Sequence, residues 1–167
     1  MQLLEEVCEH LDEGESGLRG RIFATISQVY WYGKQLDKAK EMAQRAFEIG
    51  QGLQDDQLCA DASGGLALAQ MQELHVKEAL EYWQMGLAYA RRADDLWLQG
   101  LRLQRIALAL AWLGRLDEAE DMALATDAVI YETHDWAGYS LALAAQVSVA
   151  VARGDFETAH TYAQKPC

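Results

Sequence analysis

Proline is almost absent from this chain of 167 residues, in which the single one is Pro166, next to the end. Proline removes a backbone hydrogen-bond donor and breaks helices, so no helix of this chain is interrupted by one. The chain is instead rich in Ala, Leu, Gln, Glu and Arg, which favour helix. The composition therefore predicts an all-α protein.

Positive charge is also scarce. The chain has 14 Lys and Arg residues against 26 Asp and Glu residues, which gives a formal net charge of -12 at pH 7. Direct binding to a phosphate backbone needs a positive surface. We therefore expect no direct nucleic-acid partner.

Long apolar runs are missing as well. The longest stretch, from Leu141 to Ala152, contains two polar residues and is about twelve residues long, whereas a helix that spans a bilayer needs about 20. Glu5 and Glu6 follow Met1 closely, which is the wrong charge for a secretory or mitochondrial leader. We expect no membrane partner and a cytoplasmic location.

Cysteine and histidine are few and are not grouped. The three cysteines have no CxxC spacing, which predicts free thiols and not a disulfide framework or a zinc site. No two histidines stand four positions apart, as a helical metal site would require. These residues are Cys8, Cys59 and Cys167, and His10, His75, His134 and His160.

Motifs for catalysis and phosphate binding are absent too. No GxxxxGK(S/T) string occurs, and the candidate nucleophiles Ser63, Ser140 and Ser148 all fall inside predicted helices, away from the strained turns used by common hydrolases. A catalytic triad assembles in space and leaves no fixed order in the sequence, so an enzyme stays as the third hypothesis. The expectation is a protein that is not an enzyme and that has no cofactor and no metal.

What the chain does have is a regular repeat. The same pattern occurs at positions 34–39, 74–79, 114–119 and 154–159, and each copy ends in an alanine. Successive copies stand 40 residues apart. This constant distance, which we call the repeat step, is of the size typical of helix pairs stacked in a solenoid. Predicted first helices cover residues 18–32, 57–73, 96–113 and 136–153, and predicted second helices cover 36–53, 76–93, 116–132 and 156–164.

Acidic and small residues recur with the same step. Acidic residues recur before the first helices and are most simply N-caps; they are Glu15, Asp55, Asp95 and Asp135. Gly64 and Gly65 fall inside a predicted helix, where each costs stability relative to alanine, so we expect a close packing contact there.

The recurring Gly-x-(large apolar)-acid-x-Ala pattern, best at 114–119 and 154–159, resembles the tetratricopeptide repeat family. Tyr30 also matches the aromatic residue of the family's first helix, and the likeness covers residues 18–164. Leu74 and Lys77 depart from the glycine and the acid of the pattern, and the repeat step exceeds the usual unit of about 34 residues. Longer helices of this kind look like the sensor arrays of large bacterial signalling regulators.

This resemblance implies a single domain over residues 1–167, a right-handed α-solenoid of antiparallel helix pairs. Its repeats would cover residues 18–53, 57–93, 96–132 and 136–164, and residues 1–12 would be the second helix of a preceding partial repeat. Neither end looks like a polar capping helix, which favours a segment of a longer protein. Apolar residues such as Leu3, Leu4 and Val7 would then be exposed, and we expect a homo-oligomer formed through one end.

The resemblance further implies that the first helices line a concave groove. The residues projected into it are Arg21, Gln28, Trp31, Met71, Gln104, Arg105 and Trp112. Alternatively, Trp31, Met71 and Trp112 simply pack between helices. Arg105 is the only basic residue at the places where some modules of the family capture a terminal carboxylate, so we do not expect a binder of chaperone tails.

Two functional hypotheses lead. The first is a non-catalytic scaffold that binds a protein or peptide, as part of a larger bacterial regulatory or signalling protein. The alternative is a sensing module that binds a small peptide or metabolite in the groove. A small ligand should raise the melting temperature of the fragment by mass action, whereas a scaffold would respond only to a protein partner.

Overall fold

The computed structural model describes residues 16–133 and 136–165, and of residues 131–138 it describes no side chain. Eight helices and no strands occur in this part of the chain, which confirms the all-α prediction. They are α1 Ser16–Tyr32, α2 Leu36–Leu53, α3 Asp56–Gln72, α4 Val76–Arg92, α5 Leu96–Trp112, α6 Leu116–Thr133, α7 Trp136–Arg153 and α8 Phe156–Ala163. Each end lies within about two residues of the predicted one, which is the usual uncertainty of helix boundaries. The predicted helix over residues 1–12 lies outside the described residues.

The helices form two compact units, one ending at Ala93 and the other beginning at Asp94. In the first unit α1 packs against α2 and α3, and α3 also packs against α2 and α4. In the second unit α5 packs against α6 and α7, while α7 packs against α6 and α8. In both units the first helices of successive pairs are therefore neighbours.

The repeated alanines are buried near the starts of the second helices. Ala39 and Ala79 in the first unit and Ala119 and Ala159 in the second are all buried. Each stands near the start of its helix, where a larger side chain would hold the neighbouring helix away. The burial of all four positions gives a structural reason for the recurrence of a small side chain there.

Glycines provide further close contacts. A Cβ on Gly65 would stand 2.7 Å from the Ser27 Oγ and 3.2 Å from the Ala43 Cβ, so the predicted contact at this position is confirmed. Gly100 in α5 is equally tight against the Ile130 side chain. Ser140, which has the register of Gly100, is instead exposed.

The predicted N-caps are confirmed where the structure describes them. The Asp55 carboxylate accepts a hydrogen bond from the Leu58 N–H at 2.9 Å, and Asp95 does the same for Leu98. Asp155 caps α8 in the same way, and its bond to the Thr158 N–H holds the pKa of this carboxyl below its ordinary value. Such caps satisfy backbone donors that have no partner within the helix. The predicted caps Glu15 and Asp135 lie outside the described residues.

The turns after the helices share one backbone conformation. A residue in the left-handed region follows each of α1 to α5 and also α7. In most of these turns the N–H of the next residue donates to the carbonyl five positions back, as in His75 to Gln70 at 3.0 Å. This is the usual C-terminal capping arrangement, for which glycine is preferred. The residues in this conformation within the described part of the chain are Lys34, Gln54, Leu74, Asp94, Gly114 and Gly154.

Replacing Leu74 by glycine is expected to raise the free energy of unfolding by about 1 kcal/mol. The left-handed conformation costs an L-residue about 1–2 kcal/mol, which the extra freedom of glycine in the unfolded chain offsets only in part. Leu74 is mostly exposed, so little packing is lost. Urea unfolding followed by circular dichroism measures the change. Gly114→Ala is the reciprocal variant and should lose a similar amount; a Leu74→Gly protein less stable than the wild type would contradict the argument.

Candidate functional site

The first helices carry a line of accessible side chains, which we call the first-helix line. Its positions are separated alternately by four and three residues, so they lie along one face of each helix. All of them except Ala145 are exposed or half-buried. They are 21, 25, 28 and 32 in α1, 61, 65, 68 and 72 in α3, 101, 105, 108 and 112 in α5, and 141, 145, 148 and 152 in α7.

In the first unit this line is polar with an aromatic end. Arg21 and Gln28 are exposed, and the Arg21 guanidinium binds the Asp55 carboxylate at 2.9 Å. Tyr32 is 76% exposed, which makes it the most accessible large hydrophobic side chain described in the unit. The sequence prediction counts three residues on from Gln28 and reaches Trp31. The exposed residue on this face is Tyr32, which stands four residues after Gln28. The sequence signal that could have identified Tyr32 is Trp112, because two repeat steps relate these two positions and both carry a large aromatic side chain.

Trp31 has a structural contact and a half-buried position. Its indole N–H donates to the Leu68 carbonyl of α3 at 3.1 Å, and its ring meets that of Tyr32 edge to face at 4.7 Å. Trp31 also packs against the core of the first unit. Met71, on α3, is half-buried. The indole therefore joins α1 to α3 and also supports the exposed ring of Tyr32.

In the second unit the line on α5 is mostly apolar. Trp112 is 59% exposed at the end of α5, and the half-buried Leu101, Arg105 and Leu108 precede it on the same face. Gln104 lies beside this line and is buried, with 7% of its surface exposed. Of the three residues predicted in this unit, Arg105 and Trp112 thus lie on the accessible face. The role of all seven predicted groove residues stays a prediction.

Ion pairs between neighbouring helices occupy several basic side chains. In the first unit Lys40 pairs with Glu73, and the Arg92 guanidinium donates three hydrogen bonds to the Asp56 carboxylate and lowers the pKa of that carboxyl. In the second unit the Arg153 guanidinium binds both the Asp117 and the Glu120 carboxylates, at 2.7 and 2.8 Å. Pairs this exposed contribute little stability but orient the side chains.

The remaining chemistry of the described residues is limited. Cys59 is buried, and burial raises the pKa of its thiol, which disfavours the reactive thiolate. Cys8 and Cys167 lie outside the described residues. Within residues 16–133 and 136–165, no three His, Cys, Asp or Glu side chains come close enough together to hold a metal ion. In the same ranges no helix has both the length and the apolar character that crossing a membrane requires.

Comparison with solved structures shows the fold. The apo form of RapI matches with a TM-score of 0.78 and 18% identity over 95% of this chain. A Rap protein complexed with Competence and Sporulation Factor matches with a TM-score of 0.80 and 16% identity, also over 95% of the chain. Aspartyl phosphate phosphatase F from Bacillus subtilis matches with a TM-score of 0.77 and 19% identity over 87%. The predicted solenoid of tetratricopeptide-like helix pairs is confirmed.

These proteins are longer than the matched part. The chain spans 57% of RapI, 44% of the Rap protein in complex and 38% of the phosphatase. No family model matches the sequence, and no curated protein matches it. At identities this low the likeness supports the fold alone, without the long-repeat sensor arrays that the repeat step suggested.

Proposed function

We propose that this protein is a non-catalytic scaffold that binds a protein or peptide along its first helices. The observation that carries the proposal is the line on α5, where Leu101, Leu108 and the exposed Trp112 accompany Arg105. Tryptophan and arginine are among the residues that most often dominate binding energy at protein interfaces. Exposed apolar and aromatic anchors along one helix face suit an apolar peptide or helix.

Charge supports a peptide over a nucleic acid as the partner. The net charge of -12 repels phosphate backbones, and Arg21 on the first-helix line is already paired with Asp55. A Rap protein of the same fold was solved with Competence and Sporulation Factor bound, and we extend a regulatory role from it to this chain as part of the proposal. The larger bacterial regulator, the cytoplasmic location and the homo-oligomer are further parts of this proposal.

Replacing Trp112 by alanine is expected to weaken peptide binding about 30-fold or more. Truncation of a central aromatic anchor typically costs about 2 kcal/mol or more of binding energy. The ligands are peptides selected by the full chain from a display library of random short peptides, and their affinities are measured by calorimetry. Phe156→Ala is the matched control, because Phe156 is also an exposed aromatic residue but lies on the second helix α8. Selection that enriches no peptide, or peptides that bind both variants equally, would contradict the proposal.

A module that senses a small peptide or metabolite is the second candidate. The Rap protein that carries a bound factor favours it, since the fold is shared over most of this chain. Such a ligand, bound to the native state alone, stabilises that state by about 2.7 kcal/mol at 100 times its dissociation constant, and the melting temperature rises accordingly. A scaffold would show this response only with its protein partner.

A further inference from the structure

One side of α1 is accessible, although the same side of α3 and α5 is buried. The repeat step relates Leu18 to Leu58 and Leu98, which are 1% and 6% exposed, whereas Leu18 is 52% exposed. Val29 is likewise 40% exposed, while its counterparts in α3 and α5 are fully buried. Spacings of four and seven residues place Leu18, Ile22 and Val29 on one side of the helix, which we call the α1 face. The α1 face is therefore an accessible apolar surface of a kind that the fold covers elsewhere.

On α7 the accessible side is the opposite one. Successive spacings of four, three and four residues define this side, which we call the α7 face and which consists of Ser140, Ala144, Val147 and Val151. Ser140 and Ala144 are exposed, and Val151 is 49% exposed. The corresponding residues of α5 are all buried; they are Gly100, Gln104, Ala107 and Ala111. The α7 face thus presents small side chains at one end and valines at the other.

The two faces have the registers of the two sides that meet when first helices pack inside a unit. In the first unit α1 packs against α3, and the Leu58 Cδ2 stands 2.5 Å from the place that a Cβ on Gly20 would take. Leu18 has the register of Leu58, and Ser140 has the register of Gly20. A leucine on the α1 face can therefore meet a small residue on the α7 face. Because no chain connection fixes the distance between two molecules, such a contact accommodates the serine by a slightly wider approach.

We propose that the α7 face of one molecule binds the α1 face of a second copy of this chain, head to tail. Both halves of the contact are present on one chain, and α1 with α3 and α5 with α7 pack in the same register inside the units. The net charge of -12 opposes the association of two copies, so the burial of apolar side chains drives it. The contact is heterologous, because each molecule uses two different surfaces.

This inference specifies the homo-oligomer that belongs to the function proposed above. The two faces share no residue with the first-helix line, so peptide binding along that line is measured independently. A monomeric chain that binds the selected peptides through Trp112 would overturn the present inference alone. Self-association without any peptide binding would contradict the proposed function alone.

Sedimentation velocity of the full chain over a range of concentrations tests the contact. We expect the average mass to rise with concentration, with a dissociation constant on the order of 50 µM, since a contact of a few helical turns is smaller than a standard interface. Salt screens the repulsion between the two acidic molecules, so association should be stronger in about 0.5 M than in about 0.05 M sodium chloride. A constant monomer mass up to about 1 mM would overturn the proposal. Weaker association at high salt would also overturn it, because ion pairs and not apolar faces would then join the copies.

Two variants block one face each and are compatible with the fold. Leu18→Asp changes the α1 face at an exposed position in the first turn of α1, where an acidic residue is favourable. Val151→Lys changes the α7 face in the last turn of α7, where a basic residue is favourable. Each variant alone should associate about 30-fold more weakly or less, because the contact would bury an unpaired charge. Leu124→Asp, at an exposed leucine of α6 outside both faces, is the matched control and should associate like the wild type.

Mixing the two variants tests the head-to-tail arrangement itself. The Leu18→Asp protein keeps its α7 face, and the Val151→Lys protein keeps its α1 face, so an equimolar mixture should form dimers of one copy of each with the affinity of the wild-type contact. Circular dichroism and the melting temperature show that both variants are folded. A mixture that stays monomeric would overturn the proposal. Wild-type association by either variant alone would overturn it as well, since the copies would then meet through another surface.

Discussion

Replacing Leu58 by alanine is expected to lower the free energy of unfolding by about 3 kcal/mol. Leu58 lies in the first turn of α3 and is 1% exposed, within the core of the first unit. Its Cδ2 stands 2.5 Å from the place that a Cβ on Gly20 would take, and its Cγ stands 3.3 Å from the same place on Gly50. The side chain thus fills the space that two glycines leave. Truncating a buried leucine to alanine costs about 2–5 kcal/mol, because a cavity remains.

Urea denaturation followed by circular dichroism at equilibrium measures this loss. Leu18→Ala is the matched control, since Leu18 is an exposed leucine of α1 in the same unit; it should change stability by less than about 0.5 kcal/mol. The glycine contact provides a second check. Gly20→Ala should be less damaging in the Leu58→Ala background than in the wild type, by a coupling of about 1 kcal/mol, because the nearest clashing atom is gone while the Ile49 Cγ2, at 3.0 Å, remains. A loss below about 1 kcal/mol for Leu58→Ala would mean that the site collapses around the cavity.

Alanine substitutions at Gly50 and Gly52 are expected to have opposite signs, although both residues lie in α2. A Cβ on Gly50 would meet the Cys59 Sγ at 2.8 Å and the Cys59 backbone nitrogen at 3.1 Å. Because a backbone atom moves only with its helix, α2 and α3 must separate, and Gly50→Ala should cost about 2–3 kcal/mol. A Cβ on Gly52 meets no atom within 4 Å. Gly52→Ala should therefore gain about 0.5–1 kcal/mol from helix propensity alone.

Thermal and urea unfolding of the two variants side by side give the comparison. Each protein serves as the control for the other, because the chemical change and the helix are the same. If both substitutions stabilise the protein, the approach of α2 to α3 is looser than the distances to Cys59 indicate. If both destabilise it, the last turn of α2 does not behave as a solvent-exposed helix.

Part of the candidate site is predictable from the sequence. The repeat pattern places Arg21 and Gln28 on one face of α1 and Trp112 near the end of α5, and all three side chains are exposed. The spacing alone does not decide between steps of three and four along a helix with about 3.6 residues per turn. For that reason the prediction projects both Gln104 and Arg105 into the groove, although Gln104 is buried and only Arg105 lies on the accessible face.

The sequence by itself determined the helices, the turns and the register, because these depend on local propensities, on capping residues and on a repeated pattern that any one copy shares with the others. Only the tertiary structure decided that Tyr32 is exposed beside a half-buried Trp31, and that the Gln146 carbonyl is buried without a partner among the described residues. These features depend on which side chains of distant segments meet. Such contacts arise from packing between helices, and neither composition nor period contains that information.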